Sequence, residues 1–167
     1  MTIISAFAAL ARIGTLTGDY LDGNAEPERF AQHSARLIDG LLQDLKGHHQ
    51  IEDTHYFPLL ARLGAPLEAG FALLEADHHA LDGHIHGLAE VTNAMLPALQ
   101  GGGGQPAVGQ VRAHARQFER FIDRHLTDEE DLVVPTILHL APVLSGGLAD
   151  KAGWPRFSPR PGFQARP

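Results

Sequence analysis

His48, Glu52 and His55 stand four and three residues apart in Gly47-His48-His49-Gln50-Ile51-Glu52-Asp53-Thr54-His55. On an α-helix, at about 100° per residue, they fall within roughly 60° of one another. Phe30, Leu37, Leu41, Leu45 and Leu59 share that stripe. Imidazoles and a carboxylate that point where leucines point enter a core. A carboxylate buried beside imidazoles is costly unless positive charge compensates it, and a metal ion does so best. The spacing recurs in His78 with Asp82 and in His125 with Glu129. Residues four apart share a helix face, so each pair can approach one point in space. A single inward histidine is most often a satisfied core residue, and one His/acid pair arises easily by chance. Three pairs that can meet at one height point to a metal site.

The donor types narrow the ion. The sequence has no cysteine, so disulfides and thiolate ligands are excluded and nitrogen and oxygen must hold any metal. Several imidazoles with two or more carboxylates suit iron or manganese and tolerate zinc. Five or more ligands exceed a four-coordinate structural zinc site. Two ions bridged by Glu52 and Glu129 fit the donor count better, although one ion is also open.

Helices must position these groups. Residues 3–13 read as a helix of modest quality, which Gly14, Thr15, Thr17 and Gly18 weaken, and Asp22-Gly23-Asn24 marks a turn. Pro27 suits a first helical position, and the second helix is expected to run to about Arg62, with a kink or stop at Pro58 and Gly64 closing it. Pro66 opens the third, whose inward stripe is Leu67, Phe71, Leu74, His78, Leu81 and Ile85, ending near Pro97. After the loop at Gly101 to Gly104, the fourth is expected from about Ala107 to Val134, with Pro135 stopping it. Its stripe is Val111, His114, Phe118, Phe121, His125, Glu129 and Leu132, and residues 136–144 read as a last apolar turn. No segment has strand periodicity. The expected fold is all-α, an up-and-down four-helix bundle over residues 1–144, followed by an irregular Pro/Gly/Arg-rich tail over 145–167. In such a bundle His48 and His125, near the ends of alternate helices, come to the height of His78, which precedes the middle of the helix between them.

Composition limits the rest. The 167 residues suit one domain. No run nears the roughly 20 apolar residues of a membrane span, and the start of the chain lacks the features of a signal peptide, so a cytoplasmic location away from membranes is expected. A net charge of −7 argues against nucleic acid as a partner. Eleven histidines against two tyrosines and one tryptophan favour metal binding.

The sequence resembles the hemerythrin-like, HHE cation-binding family in three stretches: Leu45-Lys46-Gly47-His48-His49-Gln50-Ile51-Glu52-Asp53 with Phe57-Pro58, Glu75-Ala76-Asp77-His78, and His125-Leu126-Thr127-Asp128-Glu129-Glu130 with Pro135. The resemblance covers roughly residues 3–140. It implies a non-haem di-iron centre with His48, His78 and His125 as terminal ligands and Glu52 and Glu129 as bridges. His49 is open between an extra ligand and a supporting residue. The implied roles are carriage or sensing of dioxygen, iron handling, or reaction with peroxide or nitric oxide. One departure is that residues 1–24 contain no histidine, where the family usually has a ligand on the first helix. An open coordination position, a substitute histidine, or a single metal would each answer it. His55 is the best-placed spare by angle, though about 10 Å along the helix from His48.

The departure gives weight to redox chemistry on a substrate. The alternatives to a small-oxidant binder are thus an oxidoreductase, catalase-like or acting on a small organic molecule, and a structural or regulatory metal module. A ferritin-type reading of Glu52-x-x-His55 and Glu75-x-x-His78 is weaker, because the first helix lacks its glutamate. His33, His86 and His114 are read as boundary residues before a second metal or proton-relay site, His79 and His84 as surface residues, and His139 as a residue at the mouth of the site.

Overall fold

The computed structural model describes residues 3–58 and 68–144. The expected helix end near Arg62, Gly64, Pro66 and the tail 145–167 lie outside those residues, as does the side chain of His139. Four α-helices follow in order: α1 (Ile3–Leu21), α2 (Pro27–Ile51), α3 (Glu68–Gln100) and α4 (Gly104–Leu144). Residues 22–26 link α1 to α2 and residues 101–103 link α3 to α4. Positive φ at Gly23 and Gly102, 78° and 76°, turns the chain at both links. Each helix packs on its neighbours in sequence, and α1 closes the ring against α4. Over the described residues the chain is therefore all-helical, four helices around one core. Leu10 and Ile13 of α1, Ile38 and Leu45 of α2, Leu81 and Leu88 of α3, and Phe118 and Ile122 of α4 fill its interior.

Three helices outrun their local signals. α1 continues through Gly14, Thr15, Thr17 and Gly18 because Ile13 and Thr17 are fully buried. Thr17 returns its hydroxyl proton to the Ile13 carbonyl at 2.8 Å, so its burial leaves no polar group unmet. Propensity penalties of under about 1 kcal/mol per residue yield to that packing. α3 passes Pro97 to Gln100, with Met95 and Leu99 buried on either side. α4 starts at Gly104 and passes Pro135, so residues 136–144 prolong it instead of forming a separate turn. Both prolines face outward, where water can reach the carbonyls they leave unbonded.

Gly104 shows how tightly the far end of the bundle closes. A Cβ there would lie 2.5 Å from Leu99 Cδ2, 2.8 Å from the Tyr20 hydroxyl and 3.3 Å from the Leu99 backbone. Gly104→Ala should cost about 1–3 kcal/mol, read as a lower urea midpoint with an unchanged slope.

The other end holds the irregularity that matters. After Ile51 the chain makes one π-helical turn, Glu52–Tyr56, closed by the Phe57 N–H donating to the Glu52 carbonyl. The wider turn adds a residue to the local repeat and changes which side chains downstream face inward.

Candidate metal centre

Glu52, the first residue of that turn, is buried. Its Oε1 stands 3.1 Å from His48 Nε2, one helical turn back on α2, and its Oε2 stands 3.6 Å from His78 Nε2 on α3. Its carboxylate thus looks two ways, into two groups of donors. In the first group, His49, His78 and His125 are all buried, and one nitrogen of each lies within 4.8 Å of the others. The Nε2 atoms of His49 and His125 are 3.3 Å apart. In the second, His48, Glu52 and Glu129 each bring one atom within the same distance.

Neighbouring groups orient the imidazoles. His78 donates Nδ1–H to Asp53 Oδ1 at 2.7 Å, which leaves the Nε2 lone pair facing Glu52. His49 donates Nδ1–H to the Leu45 carbonyl at 2.7 Å, one turn back on its own helix. Asp77 Oδ2 stands 3.7 Å from His125 Nδ1, while Arg124 holds Asp77 Oδ1 at 2.6 Å. Phe57 stacks on the His78 ring with centroids 5.0 Å apart.

Electrostatics tune the groups in opposite directions. Burial pulls the His49 imidazole down to about 4, and burial with the neighbouring His78 also lowers His125, so both stay neutral with a lone pair to offer. Burial alone would raise Glu52, but the adjoining His48 and a hydrogen bond from Glu129 hold it down at about 2. Burial pushes Glu129 up to about 9, and the charge of Glu52 adds to the rise. The carboxyl pair therefore shares one proton at neutral pH.

Donor chemistry and unmet polar atoms both fit a cation. Glu52 Oε2, His78 Nε2 and His48 Nε2 are buried without a well-directed hydrogen bond. Each such atom costs about 1–3 kcal/mol when left unsatisfied. All three belong to the two donor groups, and a positive charge held there would stabilise Glu52 and Glu129 together.

The structure brings together His48, His49, Glu52, His78, His125 and Glu129. It leaves two of the sequence candidates apart. His55 is exposed on the π turn, where its Nδ1 meets the Thr54 hydroxyl at 2.7 Å. Asp82 is exposed on α3, and Asp53 on the π turn supplies the carboxylate that bonds His78. The described part of α1 contributes Ala6, Leu10, Ile13 and Thr17 to the interior and no donor to either group. Sequence reading gave no role to Asp53, Asp77 or Phe57. The available signal was an acid next in sequence to an inward residue, Asp53 after Glu52 and Asp77 before His78.

The remaining histidines form no further group of three or more donors among the described residues. His33, His79 and His86 are exposed, and His86 bonds the Asp82 carbonyl one turn back. His84, read as a surface residue, instead lies half-buried against the rings of Phe118 and Phe121.

No described helix is long and apolar enough to cross a membrane. No curated protein and no solved structure matches the chain. Residues 6–137 match the Hemerythrin HHE cation binding domain, a span that contains every donor of the two groups. With a buried His/Glu cluster at the meeting of its helices and that match over most of its length, the chain belongs to the hemerythrin HHE cation-binding family.

Proposed function

We propose that this domain is a non-haem di-iron protein that binds dioxygen or a related small oxidant, peroxide or nitric oxide, in the core of the bundle. One observation carries the reading: the Glu52 carboxylate aims one oxygen at each of two donor groups, as a ligand shared by two ions does. His49, His78 and His125 would hold one ion, and His48 with Glu129 the other, with Glu52 between them. His49 would thereby supply the imidazole that the first helix lacks. Iron bound in this way supplies electrons to a small oxidant. The chain's own part is to offer neutral imidazoles, fix their tautomers through Asp53 and the Leu45 carbonyl, and wall the core with apolar side chains. Manganese or zinc would fit the same donors less selectively.

Protein grown with iron should carry about two irons per chain and show a visible absorption band that changes reversibly as oxygen is removed and readmitted. Metal analysis returning no transition metal would overturn the reading. Asp53→Ala, which frees His78 to rotate, should weaken metal affinity by about 10–100-fold in a chelator competition. A second reading, an oxidoreductase acting on an organic molecule, is favoured by a cleft that reaches His49 and His78 from outside.

A further inference from the structure

The cleft beside the metal site lies between the end of α2, the π turn and α3, and has a volume of about 670 Å³. A guest the size of one water occupies about 30 Å³. The opening is therefore far larger than a diatomic needs, and it falls in the range of pockets that take small organic ligands, about 300–1,000 Å³. Its inner end is formed by His49 and His78. Its walls are Phe57, Phe71, Leu81 and Ile85, of which Leu81 is buried and the others half-buried. Phe57 and Phe71 pack on each other as one aromatic wall, with ring centroids 6.1 Å apart and planes tilted by 55°. Among the described residues, the exposed rim carries the carboxylates of Asp53, Glu75 and Asp82 against the ammonium of Lys46 and the imidazole of His79.

An apolar, aromatic interior with a predominantly acidic rim has a definite chemical complement. We infer that the cleft binds a small organic cation, an aromatic or aliphatic body bearing an ammonium group, with the body lying against the Phe57 and Phe71 pair and the charge toward Glu75 and Asp82. The inference rests on the reading of His49 and His78 as metal ligands only for its functional meaning, since a guest so placed would lie against that centre. Two forces act on such a guest. Burial of its apolar body supplies the larger share, and the aromatic faces together with the rim carboxylates select for positive charge. Asp53 is held by His78, so among the described residues the selectivity falls to Glu75 and Asp82, seven residues apart on α3.

Calorimetric titration of the iron-grown protein, its metal content measured first, tests this with three probes of one shape: 2-phenylethylammonium, 2-phenylethanol and phenylacetate. The ammonium should bind tightest with one site per chain, the alcohol more weakly, and the carboxylate weakest. The double variant Glu75→Lys/Asp82→Lys, both exposed positions, should weaken the ammonium about tenfold and reverse its lead over phenylacetate. Ile85→Trp, which fills the cleft from its half-buried wall, should remove binding of all three. Both variants should keep the parent's metal content. Phenylacetate binding as well as the ammonium, or saturation by none of the probes, would overturn the inference. Iron-loaded protein that takes no probe would sink the cleft's role and leave the metal centre intact, whereas metal-free protein that binds the ammonium would do the reverse.

Discussion

Glu52→Gln should empty the centre of metal and leave the bundle folded. Among the described residues, Glu52 is the acid whose carboxylate stands against both donor groups, so under the two-ion reading its loss would remove a ligand from each ion at once. Glutamine keeps the shape and can still hydrogen-bond to Glu129 and His48, and a neutral amide costs less to bury than a carboxylate. Iron per chain after reconstitution should fall from about two to near zero, a larger loss than the roughly 10–100-fold in affinity expected for a supporting residue such as Asp53. Helical circular dichroism should stay at the parent value. His55→Ala and Asp82→Asn serve as controls and should retain the parent's metal, because both side chains are exposed and outside the two groups. Full metal retention in Glu52→Gln would end the shared-ligand reading.

The second large effect is on pH dependence, and it is read on protein freed of metal by chelation. Glu129 has a folded pKa of about 9 against 4.5 for the free side chain, so between those values the folded chain holds a proton that the unfolded chain has released. Stability then falls as pH rises through that window. His49 acts oppositely: its folded value of about 4 against 6.5 makes stability rise with pH between the two. Glu52, held at about 2 against 4.5, adds stability that is lost only as pH falls through that lower range. His49 and Glu129 offset each other up to about pH 6.5. Above it the Glu129 effect stands alone. The metal-free protein should therefore melt at progressively lower temperature from pH 6.5 to 9, by roughly 5 °C or more. Glu129→Gln, which keeps a donor toward Glu52 and cannot ionise, should flatten that decline. Metal affinity should move the other way and rise with pH, because loading expels the shared proton. A parent and a Glu129→Gln variant with the same slope above pH 6.5 would show that the carboxyl pair does not share a proton.

Much of the fold was legible because helical periodicity survives everywhere in the core stripes. What misled were the single-residue punctuators. Thr15, Thr17 and Gly18 read as the end of a helix, yet each threonine hydroxyl bonds a carbonyl one turn back and Thr17 is packed inside. Pro97 and Pro135 read as stops, yet each sits on an outward face of a helix whose buried residues continue past it. In both cases long-range burial outweighed a local preference that a window of sequence can measure. Spacing within one helix sufficed to bring His48, Glu52, His78, His125 and Glu129 forward as candidates, and the structure gathers all five. His49 was harder, since its angle on an ideal helix lies off the stripe. The meeting of His78 with Asp53 depends on how two helices face each other, which periodicity along one chain does not contain.

The π turn after Ile51 explains why the angular reading fails where it does. It works as a phase shifter. Upstream of it the heptad-like clock of α2 keeps time, and His48 and Glu52 strike the same hour. Downstream the hand has slipped, so that His55, which ideal timing would aim inward, faces water, and Phe57 comes round to lie on the ring of His78. A single extra residue of backbone thereby turns a would-be ligand toward water and leaves an aromatic ring against an imidazole of the site.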